Sequence, residues 1–182
     1  MSEDLREAFY HGRVRKCGPH YTGFDLTSIE TVLNLVYTYD VLQQIIGRYL
    51  AGFGLSKSAL NVMMVLRCGE PEGMLLHDLG ELLLVSRANV TGLIDSLQEK
   101  GYVKRVVDAG DRRGRFARLT RKGEEILDQV MPVHFRNVSQ LMSDLSMDER
   151  NLLTSLLKKM RRSLVAHASG PAEYGARHQQ TL

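Results

Sequence analysis

The arrangement of apolar and polar residues over residues 78–120 restricts the fold of this chain more than any other feature. A short helical pattern over residues 78–84 is followed, after a two-residue turn, by a second over residues 87–100. Residues 102–107 and 115–120 then alternate between apolar and polar side chains, as strands do, and turn residues separate them. Two helices joined by a tight turn and followed by a hairpin predict a winged helix-turn-helix.

The second helix of this pair is predicted to have a polar front and an apolar back. Ser86 is a good N-cap, and Arg87, Asn89 and Thr91 in the first turns carry donors and acceptors that can reach the edges of bases. Taken alone, these residues are also typical of any solvated helix start. The apolar back of the helix consists of Val90, Leu93, Ile94 and Leu97.

Positive charge is concentrated in the same part of the chain. Residues 87–122 contain ten Lys or Arg against four Asp or Glu, whereas the whole chain has a net charge of +3. Arg112, Arg113, Arg115 and Arg118 lie on or beside the hairpin tip, where guanidinium groups can straddle phosphates or enter a narrow minor groove. This asymmetry predicts a surface for double-stranded DNA.

The flanking segments are predicted to be helical. One helix is expected from Ser28 to about Gly52, the next begins at Ser56, and a third runs from Thr120 past Pro132. A last helix, capped by Ser146 or Asp148, carries a stripe of leucines wide enough to need a partner. The stripe is Leu152, Leu153, Leu156, Leu157 and Met160.

Other classes of protein are not indicated. The sequence has no P-loop, dinucleotide glycine fingerprint, His-Glu-x-x-His or Gly-x-Ser-x-Gly pattern, so we expect neither an enzyme nor a cofactor. Two cysteines and six scattered histidines predict no disulfide scaffold and no metal site. Without a signal peptide or an apolar run of membrane length, we expect a soluble cytoplasmic protein with no membrane partner.

Residues 28–162 resemble the MarR family, the multiple-antibiotic-resistance regulators. The likeness is densest over residues 82–127, and its pieces are weak alone but specific as an ordered set. Those pieces are Val85-Ser86, Val90-Thr91, Glu99-Lys100-Gly101, Asp111-Arg112-Arg113, and Leu119-Thr120 followed by Gly123.

The resemblance implies particular roles in DNA binding. Arg113 is expected to enter the minor groove, and Asp111 to brace the wing tip by pairing with Arg105. The sequence departs from the family at Ser96, where many members carry an arginine, and Asp95 beside it is acidic. Contacts from the recognition helix are expected at Arg87, Ala88, Asn89 and Gly92.

The resemblance also implies a fold class and an assembly. The expected fold is mainly α with a small β-wing, a winged helix-turn-helix core flanked by N- and C-terminal dimerisation helices. A homodimer places two recognition helices about 34 Å apart and predicts a pseudo-palindromic operator. The expected parts are a flexible N-terminal arm (1–23), an N-terminal dimerisation helix (24–54), the DNA-binding domain (55–121), C-terminal dimerisation helices (122–166) and a disordered tail (167–182).

Family members commonly repress transcription until a small aromatic or phenolic ligand releases them. By resemblance, a ligand pocket is expected between the dimerisation helices and the DNA-binding lobe. The residues expected to line it are Tyr37, Tyr39, Met63, Met64, Arg67 and His77. Each of these residue types also serves ordinary packing.

Three other functions stay open from the sequence. The basic hairpin would also suit an architectural DNA-binding protein or a module that binds acidic protein surfaces. A redox-sensing branch of the family uses a cysteine on its first helix, but Cys17 is expected to precede the first helix and Cys68 to be buried and inert.

Overall fold

The computed structural model describes residues 5–107 and 115–168 of the 182-residue chain. Within these residues, the chain forms seven α-helices and a small three-stranded sheet, which confirms the predicted fold class. The elements are α1 (Leu5–Cys17), a 3₁₀ turn (Gly18–His20), α2 (Leu26–Ala51), α3 (Lys57–Cys68), β1 (Met74–Leu75), α4 (Leu76–Leu83), α5 (Arg87–Glu99), β2 (Val103–Val107), β3 (Arg115–Leu119), α6 (Arg121–Leu141) and α7 (Met147–Ala168).

Side-chain caps define the starts of the central helices. The Ser56 hydroxyl accepts a hydrogen bond from the Ala59 amide at 3.1 Å, as expected for the N-cap of α3. The carboxylate of Asp25 accepts from the amides of Thr27 and Ser28 and starts α2 two residues before the predicted position. Gly101 ends the region of α5 with a φ of 74°, a conformation that glycine adopts without strain.

The sheet is antiparallel with the strand order β1-β3-β2. Val103 lies opposite Leu119 at the base of the predicted hairpin, and Val107 lies opposite Arg115 toward its tip. Met74 pairs with Ala117, so the extended piece after α3 is a third strand. A two-residue strand has too little alternation for its pairing to be predicted from sequence.

The core lies in the first of two compact units, residues 1–130 and 131–182. Its buried apolar side chains come from the end of α2 through the first half of α6. They include Leu50, Leu60, Val62, Met63, Leu66, Leu79, Val90, Ile94, Leu97, Val103, Ala117, Leu127 and Val130. The helix-turn-helix elements and the sheet therefore share one core. The five-part division of the chain stays a prediction.

The second unit contains the end of α6 and all of α7. Ser146 and Glu149 form a capping box, in which each side chain accepts a hydrogen bond from the backbone amide of the other residue. This resolves the predicted choice of cap in favour of Ser146. No residue of α7 is buried, and the leucine stripe is largely exposed.

Several expectations about local structure are wrong. Residues 5–17 of the predicted arm form α1, which periodicity missed because charged residues lie on all sides of this helix. Its Arg15 Nε lies 2.9 Å from Glu30 Oε1 of α2. The apolar pattern of the short helix over residues 78–84 predicts that Leu82 points inward, but this side chain is 61% exposed on α4. The helix predicted from Thr120 is expected to continue to about Leu145, but α6 ends at Leu141, with Pro132 inside it.

Candidate nucleic-acid interface

Helix α5 is held against the core by one face and leaves the other open. Its Val90 and Ile94 are completely buried and Leu97 almost so, as predicted, while Leu93 is half-buried. The Ser86 hydroxyl accepts from the Asn89 amide at 3.3 Å and confirms the predicted cap. The apolar back therefore fixes the helix, and its first turns are free to meet a partner.

The open face of α5 carries small and polar side chains. Ser86, Ala88, Asn89 and Gly92 are exposed, and Thr91 is half-buried. A Cβ atom added to Gly92 would meet nothing within 4 Å, so packing inside the protein does not require glycine at this position. The backbone of Arg87 belongs to α5, but its side chain lies outside the described part.

An ion pair joins α5 to the wing. The Nη2 atom of Arg105 on β2 lies 2.7 Å from Asp95 Oδ1 and 3.5 Å from the carbonyl oxygen of Thr91. Asp95, the neighbour of the departing residue Ser96, thus joins the helix to the strand through this ion pair. Among the described residues, the buried Nε atom of Arg105 has no hydrogen-bond partner.

The outward face of the wing is basic. Lys104 on β2 lies directly opposite Arg118 on β3, and both side chains are exposed. Like charges placed opposite each other destabilise an antiparallel pair. Among the residues that the structure describes, neither cation has an acidic partner, so this pair of positive charges is available to an external anion.

The expected contacts at the wing tip fall outside the described residues. Asp111, Arg112 and Arg113 lie between β2 and β3, in residues 108–114, and the side chain of Arg115 is not described either. The pairing of Asp111 with Arg105 therefore stays a prediction.

The remaining family-like residues form the joint at the base of the wing. The Thr120 hydroxyl donates to the carbonyl oxygen of Gly101 at 2.6 Å and accepts from the Gly123 amide at 3.0 Å. A Cβ atom on Gly123 would lie 2.2 Å from the carbonyl oxygen of Tyr102, so this position admits only glycine. Lys122 Nζ donates to the Lys100 carbonyl at 2.8 Å. These motif residues set the angle between α5, the wing and α6.

The six residues expected to bind a ligand are spread over three helices. Tyr37 and Tyr39 lie on α2, where the Tyr39 ring faces Lys57 Nζ at 5.0 Å. Met63 and Met64 lie on α3; the first is completely buried and serves the core, and the second is half-buried.

Two members of that set, Arg67 and His77, contact carboxylates. The Arg67 Nη1 atom lies 2.6 Å from Asp128 Oδ1 and joins α3 to α6. His77 Nε2 lies 3.1 Å from Glu81 Oε1, one turn along α4. Both contacts are exposed, so a competing carboxylate could displace either one.

The positions expected for both cysteines are wrong. Cys17 is the last residue of α1 and Cys68 the last residue of α3, and both thiols are exposed. Cys68 escapes burial because α3 ends at its position, beyond the last inward turn. In the described ranges, no three His, Cys, Asp or Glu side chains come together as a metal site. No helix of that part has the length and apolar character that a membrane crossing needs.

A capped helix with an open polar face, packed beside a basic hairpin, defines the class of winged helix-turn-helix proteins. Residues 53–114 match the sequence profile of the MarR family. The resemblance seen in the sequence is thereby confirmed, and the chain is placed among transcriptional regulators.

Known relatives agree with this assignment. The transcriptional repressor YetL of Bacillus subtilis is 29% identical over 137 residues, which span 75% of this chain and 82% of YetL. The transcriptional regulator YkoM of the same species is 42% identical over 84 residues, which span 46% of this chain and 54% of YkoM. The crystal structure of a mutant MarR from Escherichia coli with operator DNA is 25% identical, with a TM-score of 0.65 over 73% of this chain and 95% of that one.

Proposed function

We propose that this protein is a homodimeric repressor that binds a pseudo-palindromic operator in double-stranded DNA. The main support for the proposal is that two features lie on neighbouring elements. These are the exposed polar start of α5 and the opposed cations Lys104 and Arg118 on the wing. In this proposal α5 enters the major groove, and the wing follows the adjacent phosphates. Arg112, Arg113 and Arg115 extend the basic surface toward the minor groove.

The opposed cations favour an anionic partner over a role in folding. Lys104 and Arg118 repel each other in the free protein, whereas phosphates on either side would convert this repulsion into attraction. A hairpin selected only for solubility would usually mix its charges.

Gly92 favours close approach by the nucleic acid. A glycine inside a helix costs about 1 kcal/mol relative to alanine, and here no neighbouring atom needs the space. The backbone of α5 at this point can therefore come nearer to base edges than any side chain would allow.

The terminal helices support the homodimer. Ile29, Val32 and Val36 on α2 are exposed, and so are Leu153 and Leu156 on α7. Apolar surface of this extent on helices is typical of an interface between subunits. Two-fold symmetry would then place the two copies of α5 about one turn of DNA apart.

Selection of bound duplexes from a random pool by the purified protein tests the proposal. The expected result is an enriched sequence with two inverted half-sites whose centres are about 10 base pairs apart. Arg113→Ala should bind this sequence at least about ten-fold more weakly with an unchanged melting temperature, because a residue at the predicted wing tip is expected to contribute little to stability. An unenriched pool would contradict sequence-specific binding and favour an architectural role, and normal binding by Arg113→Ala would contradict the wing assignment alone.

We further propose that a small aromatic acid or phenol releases the protein from its operator. The support is the family resemblance together with two nitrogen-bearing side chains, Arg67 and His77, whose exposed acidic partners a ligand carboxylate could replace. Titrating benzoate, salicylate and phenol into the complex tests it. Release by one of them, reduced in Arg67→Gln, is expected; unchanged binding with all three at millimolar concentration would contradict this part of the proposal.

A further inference from the structure

The residue that ends α4 has an unusual backbone. Leu84 has φ and ψ of 52° and 41°, and it is the one non-glycine residue with positive φ in the described part of the chain. Its amide donates to the carbonyl oxygens of Gly80 and Glu81 and so closes the helix. Glycine usually occupies this left-handed position, because any side chain there is crowded by its own backbone.

No burial of the Leu84 side chain within the chain offsets that backbone strain. It is 91% exposed, so it contributes no burial to the core. Glycine would make the same backbone hydrogen bonds without the strain and without exposing an isobutyl group to water. The fold thus accounts for the backbone conformation of Leu84 but not for its side chain. Strain kept at a position that packing does not need indicates a role outside the chain.

The position of Leu84 suggests what this side chain meets. It lies two residues before Ser86, the N-cap of α5, and only Val85 separates them. It is therefore next to the end of α5 that the proposed interface brings to the major groove. An uncharged, branched apolar group cannot bind phosphate, but it matches the thymine C5-methyl group, the one apolar feature on the major-groove edge of a base pair.

We propose that Leu84 is a specificity-determining residue that packs its isobutyl group against a thymine methyl group in each operator half-site. This inference rests on the proposed function, because it requires α5 to lie in the major groove. It adds a base preference from the turn that precedes α5, outside the set of helix residues expected to contact bases.

Replacing thymine by deoxyuridine tests the contact, because this change removes only the methyl group. The dissociation constants of the wild type and Leu84→Gly are measured on the selected operator and on copies with one thymine per half-site replaced. One replacement should weaken the wild type about ten-fold and leave Leu84→Gly unchanged. On the unmodified operator, Leu84→Gly should bind about ten-fold more weakly while its melting temperature rises, since the strain is gone.

Two further variants serve as controls. Leu84→Met keeps an apolar side chain and should restore the sensitivity to deoxyuridine. Leu82→Ala removes an exposed leucine from α4, two residues away, and should bind within about two-fold of the wild type on all duplexes.

The outcomes separate this inference from the proposed function. If the wild type prefers the operator over random duplex and Leu84→Gly binds the operator as tightly as the wild type, this inference is overturned and the proposed function stands. The inference is also overturned if the wild type and Leu84→Gly lose the same affinity at every replaced thymine. The same holds if Leu82→Ala binds the operator as weakly as Leu84→Gly. A wild type that prefers no duplex would overturn the proposed function and this inference with it.

Discussion

The DNA-binding region and the terminal helices of this protein differ in where their apolar side chains lie. Between Leu50 and Val130, the apolar residues of five helices and a sheet bury one another. In α7 no residue is buried, although the helix contains five leucines. The first region therefore forms its core within a single chain, whereas the apolar side chains of α7 stay exposed. In the proposed homodimer, folding and assembly would depend on separate residues.

The largest expected effect of a single substitution lies on the uncovered helix. Leu156, 54% exposed on α7, should become buried on dimerisation, so Leu156→Asp places a charge in the interface. We expect a loss of about 4 kcal/mol of dimer stability, seen as monomers in sedimentation velocity, and a loss of operator binding. Lys158→Glu, an exposed charge change on the same helix, is the control and should remain dimeric. A dimeric Leu156→Asp protein would contradict the role of α7.

The second largest effect is expected in the region between Leu50 and Val130, which forms its core within one chain. Gly123→Ala forces a Cβ atom to within 2.2 Å of the Tyr102 carbonyl, so backbone must shift at the base of the wing. We expect a loss of about 3 kcal/mol in the free energy of unfolding, measured by urea titration. Gly12→Ala, at an open helical position in α1, should not destabilise the protein. If Gly123→Ala unfolded at the same urea concentration as the wild type, the described joint would be wrong.

A smaller effect on stability is expected at Gly92, on the open face of α5 in the same region. Gly92→Ala should raise the free energy of unfolding by about 1 kcal/mol, because alanine favours the helix and meets no neighbour. Operator binding should nevertheless fall, since the added methyl group keeps the helix backbone away from the bases. Gly12→Ala is again the matched control and should leave binding unchanged. A Gly92→Ala protein that binds normally would show that this glycine does not approach DNA.

The smallest expected effect depends on pH. Hydrogen bonds from the Ser146 hydroxyl and amide lower the pKa of Glu149 below its ordinary value. A lowered pKa means that this contact stabilises the folded state above the ordinary pKa and is lost as the pH falls through the lowered one. Glu149→Ala should therefore melt a few degrees below the wild type at neutral pH, and the difference should shrink in acid.

Glu149→Gln is the control for this titration, because its amide oxygen still accepts from Ser146 but does not ionise. Its difference from Glu149→Ala should not change with pH. Equal melting temperatures for the wild type and Glu149→Ala at neutral pH would contradict the capping box.

The sequence predicted those parts of the fold that local rules determine. Apolar periodicity and capping residues located α3, α5 and both wing strands to within about two residues, because each of these signals acts over one or two turns. The start of α5 and the apolar back formed by Val90 and Ile94 were likewise predictable. Charge asymmetry alone predicts a basic wing.

Features that depend on distant residues could not be predicted in this way. The pair between Asp95 and Arg105 joins a helix to a strand, and no local pattern connects them. Periodicity missed α1, because an ion pair to Glu30 of α2 supports it and an apolar stripe does not. The opposed cations Lys104 and Arg118 were partly predictable, because strand alternation places both on the outer face, but their register required the sheet.

The most direct test of the account is binding to the DNA beside the protein's own gene, compared with a random duplex of equal length, at about 50 mM and 200 mM salt. We predict that the gene-adjacent DNA binds tightly and selectively, and that its affinity falls by about 1,000-fold or more between the two salt concentrations, because several phosphates are neutralised. Equal and weak binding to both duplexes, with little dependence on salt, would contradict the central claim that α5 and the wing form a sequence-specific DNA-binding surface.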